Sequence, residues 1–550
     1  MASELDKKFD ATLAAVTGPG GRLVIARDDE GRAYVANFPP TLPSLFRTFP
    51  ALYPDVEALV AGDERLTFPD LDLWSERLAR ALAARGIRKG DRVGIAMRNC
   101  PSWIIGYMAA LKAGAVATLL NGWWQSDEME FAIRLTEPAL VIADPARAER
   151  IAKVCGDAPL VCLEIEKPLD VALEPLLSSG ESDLPEIAPE DDATLLFTSG
   201  STGGAKAALS THRAVTTGAY TYATGLMVLK AILESEGRPP QAPRTLLSVP
   251  LFHVTGEVPV LLNSFVIGRG MVLMPKWDAG EALRLIEQEK ITYFVGVPTM
   301  SLELMTHPDR DKYDLSSLTD IAAGGAPRPV SHVGRLQKTF EGAQPALGYG
   351  LTETNAVGCG NFWSNYADKP GSTGRPQRPF VDLAILGEDG SHLPAGERGE
   401  IGIKSAANFK CYLQDPESTD AAFSEDGYVR TGDIGYIDQD GYLFIVDRKK
   451  EIIIRGGENI STAEVEAACY AHTQVAEAAV FGAPDERLGE VPVAVIHPVG
   501  ELDEARLREF LEQRIAAFKV PARFVFSAEP LPKLGTGKFD RVELKSRYAR

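Results

Sequence analysis

The chain has 550 residues, of which 45% are apolar and 24% charged, proportions typical of a soluble globular protein with several domains. Its formal net charge is −19. A general nucleic-acid binder would carry a basic surface, so this acidic balance excludes that class and predicts no nucleic-acid partner. Anionic ligands can still be held by local loops.

The sequence lacks the patterns of exported and membrane-spanning proteins. Residues 1–16 are charged and without the apolar core of a secretory signal, and no stretch reaches the roughly 18 apolar residues of a membrane span. The six cysteines are scattered, with no Cys-x-x-Cys pair and no histidine at ligand spacing. We therefore expect a cytoplasmic protein with reduced thiols, and no transmembrane segment, disulfide framework or zinc site.

The first two thirds of the chain read as alternating helices and strands. In the clearest unit, Thr67 and Asp70 match a capping box, apolar residues follow at helical spacing, and Gly86 suits the end of the helix before the strand pattern of 92–97. Further buried strands are predicted at 138–144, 245–252 and 291–298, with helices such as 280–290 between them. This alternation predicts an α/β fold with mostly parallel sheets covered by helices.

The pattern changes after about residue 375. Short strands separated by Asp-Gly and Gly turns predict antiparallel hairpins, and from about 462 a compact α+β unit follows. The basic run 447–455 lies between these parts. It is typical either of a charged strand edge, which protects against aggregation, or of a hinge.

A loop rich in glycine and hydroxyl side chains follows the apolar run 193–197. It reads FTSGSTGGAKA from 197 to 207, and such a loop can hold phosphate through backbone N–H groups, hydroxyls and the charge of Lys206. A Walker P-loop counted from Gly200 would need glycine at Ala205 and a hydroxyl at Ala207. Two required positions fail, which argues against a Walker ATPase or GTPase.

The loop instead resembles the phosphate loop of the adenylate-forming superfamily, which includes acyl-CoA synthetases, peptide-synthetase adenylation domains and luciferases. It departs from the family pattern at Ala205, where proline is usual, and at Ala207, where glycine is usual. Other segments resemble family motifs in the family order: VPLFHVTG (249–256), AAGGAP (322–327), GYGLTET (348–354), YVRTGDIG (428–435), VDRKKEIIIRGGENI (446–460) and LPKLGTGKFDR (531–541). The chain is identified as a member of the adenylate-forming superfamily, and it resembles the AMP-dependent carboxylate–CoA ligases within it.

The resemblance implies a fold and two domains. A large N-terminal domain (1–447) would contain mostly parallel α/β subdomains and a small β-barrel-like subdomain. A small mobile α+β domain (448–550) would follow a hinge at about 446–450. The implied reaction is activation of a carboxylic acid by ATP with Mg²⁺, and transfer of the acyl group to coenzyme A.

The resemblance also assigns site residues. The implied catalytic residues are Lys538, Thr352, Glu353 and His253, and the implied magnesium ligands are Glu353, Thr198 and Thr202. Contacts to ATP or AMP are implied at Thr198, Ser199, Gly200, Ser201, Thr202, Gly203, Lys206, Gly325, Ala326, Pro327, Tyr349, Asp433 and Arg448. The acyl pocket would be lined by His253, Val254, Thr255, Phe294, Gly296, Gly325, Tyr349, Asn355 and Val357. The coenzyme A channel and hinge would use Lys450, Arg455, Gly456, Gly457 and Glu458.

Several alternatives stay open at this level. A medium- or long-chain fatty acid is the first choice of substrate, with aryl-alkanoic, cinnamate-like and steroid side-chain acids as alternatives. Trp123 and Trp124 could flank the pocket or belong to the core. Only 12 residues follow Lys538, so we expect no fused carrier domain, and coenzyme A is favoured over a free carrier protein. A nucleotide-binding protein without ligase activity is the alternative of another class, and a homodimer is common in the family.

Overall fold

The computed structural model describes residues 2–198, 205–238, 241–325, 328–449, 451–455, 458–534 and 538–549. Two large sheets, a smaller antiparallel sheet and a separate C-terminal sheet organise these residues. The predicted mixed α/β fold with parallel sheets and a separate C-terminal domain is confirmed.

The first sheet carries the glycine-rich loop at one of its edges. Its strands follow the order Cys411–Tyr412, Ala207–Thr211, Asp192–Phe197, Val116–Leu119, Arg92–Ala96, Leu140–Ala143 and Leu160–Cys162. The strands from 192–197 onward are parallel, whereas 207–211 pairs antiparallel with both of its neighbours. The glycine-rich stretch thus connects two antiparallel neighbours at the end of a parallel sheet.

The second sheet is parallel in its centre and antiparallel at both edges. Its strands follow the order Arg375–Pro376, Gly358–Phe362, Gln344–Gly350, Asp320–Ala323, Tyr293–Gly296, Arg244–Leu247, Gly270–Leu273, Glu57–Ala61 and Glu64–Thr67. The strands between 344–350 and 57–61 in this order are all parallel. Their carboxyl ends therefore meet at one edge, where ligands bind in open α/β sheets.

Helices cover both large sheets, and a short ribbon of Ile25–Arg27 and Ala33–Val35 lies outside them. The α-helices of this part are Glu4–Thr17, Leu42–Thr48, Phe68–Ala84, Pro101–Lys112, Ser126–Thr136, Pro145–Val154, Leu169–Leu177, His212–Ser235, Asn263–Ile267, Ala279–Gln288, Pro298–Thr306, Val330–Thr339, Trp363–Asp368 and Pro416–Ala422. A π-helical segment, Gly256–Leu262, precedes Asn263–Ile267. The predicted capping box of Thr67 and Asp70 opens helix Phe68–Ala84, and Gly86 follows it with a φ of +95° that favours glycine. No helix in the described ranges is long and apolar enough to cross a membrane.

The last two sheets meet at the predicted hinge. The small sheet is antiparallel in the order Asp382–Leu386, Gly399–Lys404, Val429–Ile437 and Leu443–Arg448. The C-terminal sheet contains Glu458–Ile460, Ile453–Arg455, Gly489–Pro498, Val475–Asp485 and Arg523–Phe526, and its helices are Thr462–Tyr470, Glu504–Glu512 and Arg541–Tyr548. It has a core of its own around Val465, Val480 and Leu507. The chain passes between the two sheets over 449–452, so the exact domain boundary at 447/448 stays a prediction.

Candidate active site

A buried carboxylate stands where the second sheet, the small sheet and the C-terminal domain meet. Asp433 is 4% exposed, and its Oδ2 accepts a hydrogen bond of 2.6 Å from the Tyr349 hydroxyl. Arg448 donates from Nε to Asp433 Oδ1 at 3.1 Å, from the directly opposite position on the neighbouring strand. Burial and the Asp433 charge raise the pKa of Tyr349, so its hydroxyl stays protonated and donates. The carboxylate is thus held in one orientation by two fixed donors.

The C-terminal domain places Lys538 beside this carboxylate. A Cβ built on Gly325, which ends the turn after strand Asp320–Ala323, would lie 3.6 Å from Lys538 Cε. The pKa of Lys538 is lowered to about 8, first by burial and then by repulsion from Arg448, with Asp433 acting in the opposite direction. The ammonium form therefore still predominates at neutral pH.

His253 lies close enough to Lys538 to feel its charge. Burial first, and that positive charge second, lower the pKa of His253 to about 3, so the imidazole is neutral near pH 7. Its Nδ1 accepts a hydrogen bond of 3.2 Å from the backbone N–H of Thr255. The bond fixes the ring orientation, and Nε2 carries the proton as the donor atom.

Glu353 and Lys206 are joined through a residue that no sequence motif indicated. The hydroxyl of Tyr412 donates to Glu353 Oε1 at 2.6 Å, and Lys206 Nζ lies 4.9 Å from the centre of the Tyr412 ring. Lys206 also donates to Ser418 Oγ at 2.6 Å. Tyr412 reaches this place because its strand pairs with strand 207–211, at the register of Ala208.

A cavity of about 240 Å³ opens next to Gly325 and runs between helix His212–Ser235 and one face of the second sheet. The sheet contributes small residues there, among them Ala322, Ala346 and Gly348. On the helix, a Cβ added to Gly225 would meet no heavy atom of the described residues within 4 Å. A glycine inside a helix costs about 1 kcal/mol relative to alanine. Gly225 occurs in the helix despite this cost, and its lack of a side chain leaves the space open.

The predicted pocket residues fall into two groups. Thr255 and Gly325 line the cavity, and Val254 is buried in the adjacent core. Strand alternation places Tyr293 and Val295 toward the cavity, so Phe294 packs on the opposite face, 5.5 Å from the Trp277 ring. Gly296 faces the same way as Phe294, because a Cβ there would lie 2.8 Å from the Met300 sulfur.

Two further predicted pocket residues have packing roles. Asn355 is 1% exposed and donates from Nδ2 to Ser210 Oγ at 3.0 Å and to the Ala407 carbonyl at 2.7 Å. Val357 is fully buried among apolar residues of the small sheet. These contacts direct both side chains away from the cavity.

Trp123 and Trp124 also pack outside the cavity lining. The Trp123 ring, 42% exposed, meets Phe252 edge-on at 4.9 Å. The Trp124 ring meets Phe197 edge-on at 4.8 Å and belongs to the core beneath the glycine-rich loop.

Some predicted site residues lie outside the described residues, and others lie apart from Lys538. Ser199, Gly200, Ser201, Thr202, Gly203, Ala326, Pro327, Lys450, Gly456 and Gly457 belong to the ranges without a description. Thr198 starts the loop, and its N–H donates to the Lys206 carbonyl at 2.9 Å. Thr352 and Glu353 form the turn that follows strand Gln344–Gly350. Arg455 and Glu458 are cross-strand partners in the C-terminal sheet, where Arg455 also donates to the Phe518 carbonyl.

Comparison with known proteins identifies the family. The family described as "AMP-binding enzyme" matches residues 46–413, and the one described as "AMP-binding enzyme C-terminal domain" matches residues 464–538. This chain belongs to the AMP-binding enzymes. The membership in the adenylate-forming acyl-CoA synthetases that the motifs predicted is thereby confirmed.

Relatives of this AMP-binding enzyme match it along most of their length. A long-chain-fatty-acid–CoA ligase of Bacillus subtilis is 34% identical over 540 residues, which cover 92% of this chain and 94% of that protein. A feruloyl-CoA synthase of an Amycolatopsis species is 35% identical over 497 residues, covering 90% and 96%. The solved structure of o-succinylbenzoate CoA synthetase from B. subtilis with its acyl-adenylate intermediate superposes with a TM-score of 0.78 at 28% identity, covering 91% and 97%.

The two departures of this AMP-binding enzyme from the usual loop pattern have packing partners. Ala207 is 1% exposed, begins the strand after the loop and packs with Val116, Leu195 and Leu209. Ala205 packs against the cluster that contains Trp124. The methyl group of Ala207 is therefore part of the sheet core and does not project into the loop.

We predict that Ala207→Gly, which restores the usual family residue, lowers stability without accelerating the enzyme. The loss of one buried methyl group and the greater chain entropy of glycine together cost about 1–2 kcal/mol. Urea unfolding followed by fluorescence measures the first effect, and ATP–pyrophosphate exchange measures the second. A variant that is as stable as the wild type and exchanges faster would contradict this account of Ala207.

Proposed function

We propose that this enzyme activates a hydrophobic carboxylic acid with ATP and transfers the acyl group to coenzyme A. The observation that carries the proposal is the position of Lys538, which the C-terminal domain holds beside Gly325, at the end of the cavity nearest Asp433 and Arg448. A cation placed between a largely apolar cavity and a polar site suits the joining of a carboxylate to a phosphate. The long-chain-fatty-acid–CoA ligase and the feruloyl-CoA synthase are named for this type of reaction.

The polar side of the site suits ATP. The Asp433 carboxylate, fixed by Tyr349 and Arg448, has lone pairs left to accept the two ribose hydroxyls. The Tyr349 ring would stack on adenine, and Lys206 and the glycine-rich loop would bind the β- and γ-phosphates. The roles of these residues are those expected from the family motifs.

The residues around Glu353 fit a magnesium ion. Mg²⁺ prefers oxygen ligands and is usually bound by one or two carboxylates together with substrate phosphates. Tyr412 donates to Oε1 of Glu353, and Oε2 would bind the ion, with the hydroxyls of Thr198 and Thr202 as the further protein ligands expected from the family. When bound, Mg²⁺ would neutralise part of the phosphate charge.

In the first half-reaction, a carboxylate oxygen of the acid attacks the α-phosphorus. The bond from that phosphorus to the bridging oxygen breaks, pyrophosphate leaves, and an acyl-adenylate forms. Both reactants are anions, so the positive charges of Lys538 and Lys206 reduce their repulsion as the new bond forms. Neutral His253 can donate a hydrogen bond from Nε2 without adding charge. The protein supplies position and electrostatics and needs no nucleophile of its own.

In the second half-reaction, the sulfur of coenzyme A attacks the acyl carbonyl carbon and AMP leaves. The Arg455–Glu458 hairpin assigned to this step lies in the C-terminal sheet, while Lys538 occupies the site. A rotation of the C-terminal domain about the segment near Lys450 would withdraw Lys538 and present the hairpin. The position of Lys538 supports the assignment of this arrangement to adenylation.

A hydroxylated aryl acid is the second candidate for the substrate. Two cavity-lining amides, Asn263 and Asn361, are 1% exposed, and no donor among the described residues reaches the Oδ1 of either one. Turning either side chain toward the cavity would let its amide form a hydrogen bond with a hydroxyl group on the acid. A saturated fatty acid has no such group.

The function is tested by incubating the enzyme with ATP, Mg²⁺ and coenzyme A across fatty, aryl-alkanoic, hydroxycinnamic and sterol-derived acids. Pyrophosphate release and acyl-CoA are measured in parallel, the latter by mass spectrometry. Thioester from one class of acid is the expected result. Pyrophosphate without thioester would move the acceptor to another thiol, and binding of ATP with neither product would overturn the ligase proposal.

We predict that Lys538→Ala separates the two half-reactions. Adenylation should fall by about 10²–10³-fold, the usual effect of removing one preorganised electrostatic contact. Transfer from a supplied acyl-adenylate to coenzyme A should stay within a few-fold of the wild type, because Lys538 is withdrawn in that step. Single-turnover assays of each half-reaction make the comparison, and an equal loss in both would exclude this role for Lys538.

We predict that adenylation falls as the pH rises through about 8. Lysine carries its charge below its pKa, and the pKa of Lys538 is lowered to about 8, so the required cation is lost above that pH. ATP–pyrophosphate exchange omits coenzyme A and reports kcat/KM for ATP without interference from the thiol. Lys538→Arg stays charged, so its residual activity should not show this fall. The same alkaline fall in both proteins would assign it to another group.

A further inference from the structure

The first helix, Glu4–Thr17, contributes three apolar side chains to the cavity. Leu5, Phe9 and Leu13 recur every four residues, so they form one stripe along the helix, and all three line the cavity. Each is only half-buried although the stripe faces the protein. The surfaces of these side chains that other residues do not cover face the cavity.

A buried carboxylate fastens this helix to the rest of the molecule. Asp6 is 4% exposed, and its Oδ1 accepts hydrogen bonds of 3.0 Å from each of Asn365 Nδ2, Arg375 Nη1 and the Tyr442 hydroxyl. Arg375 also pairs with Asp10 at 3.0 Å, one helical turn further along. These contacts join the helix to the second sheet and to the hairpin of the small sheet. A helix held only by surface packing would not need a buried carboxylate with three donors.

The helix lines a part of the cavity that lies away from Lys538. The Phe9 ring stacks on Phe362 with a centroid distance of 6.5 Å and an interplanar angle of 11°. Phe362 pairs with Ala346, whereas Gly358, at the other end of the same strand, pairs with Gly350. Ala346 also pairs with Ala322, and Gly325 lies three residues beyond Ala322. Strands rise about 3.4 Å per residue, so the level of Phe362 lies at most about 10 Å along the sheet from Gly325.

We propose that helix Glu4–Thr17 is the wall against which the tail of the acid ends, and that Phe9 sets the longest acid the enzyme accepts. The inference rests on the proposed ligase function, because it assigns the cavity to the acyl group. The carboxylate would lie near Gly325 and Lys538, and the tail would extend between the sheet face and helix His212–Ser235 toward Phe9. The occupant in question is the tail of a hydrophobic acid.

The test measures kcat/KM for a homologous series of straight-chain acids, and for cinnamic acids with para-alkoxy groups of increasing length. Phe9→Ala should move the optimum to longer acids, with a gain of about fourfold for each methylene newly buried, and should leave KM for ATP and coenzyme A unchanged. Phe9→Trp should move the optimum to shorter acids. Lys7→Ala, on the exposed face of the same helix, is the matched control and should keep the wild-type profile.

A further variant separates the failure of this inference from the failure of the ligase proposal. Gly225→Leu fills the middle of the cavity and should exclude long acids wherever the tail ends. If Gly225→Leu changes the length profile and both Phe9 variants keep that of the wild type, the helix is not the wall and the inference is overturned. If the wild-type enzyme forms neither pyrophosphate nor thioester with any acid, the proposed function itself fails.

Discussion

The buried carboxylate of Asp433 is the contact on which the arrangement of the site depends. It lies on the small sheet, accepts a hydrogen bond from Tyr349 of the second sheet, and pairs with Arg448 on the last strand before the C-terminal domain. A buried carboxylate is stable only when fixed donors surround it, so the three elements are held in one relative position. Lys538 then arrives at a place where opposing charges from Asp433 and Arg448 already act on it.

The cavity depends on small residues placed opposite one another. Ala322, Ala346 and Gly348 have side chains too small to fill the space over one face of the second sheet. Gly225 adds no side chain from the helix that packs over this face. Protein interiors are otherwise packed to the density of organic crystals. A space of this size therefore persists only where the sequence has small residues on the facing surfaces. A buried carboxylate, Asp6, fastens the first helix beside the cavity, and another, Asp433, organises the site near Lys538.

The two catalytic tasks place conflicting demands on the C-terminal domain. Adenylation needs a cation between two anions, and thioester formation needs open access for a thiol. A domain with its own core, joined through the few residues between strands Leu443–Arg448 and Ile453–Arg455, can move as a unit while that core stays intact. The lowered pKa of Lys538 reflects the cost of holding a charged group in a buried site, and the proposed rotation of the domain would relieve this cost.

The helices, the strands and the segments that carry catalytic and binding residues could be predicted from the amino-acid sequence. The capping box at Thr67, the strand and helix alternation and the family motifs depend on neighbouring residues, so they can be read from short stretches. Which residues far apart in the chain come into contact depends on the tertiary structure. Tyr412 reaches Glu353 through a strand pairing across about 200 residues of chain, and Asp6 reaches Arg375 across most of the large domain. Residues 293–296 are apolar on both faces, so only the packing of helix His212–Ser235 over one face decides that Val295, and not Phe294, lines the cavity.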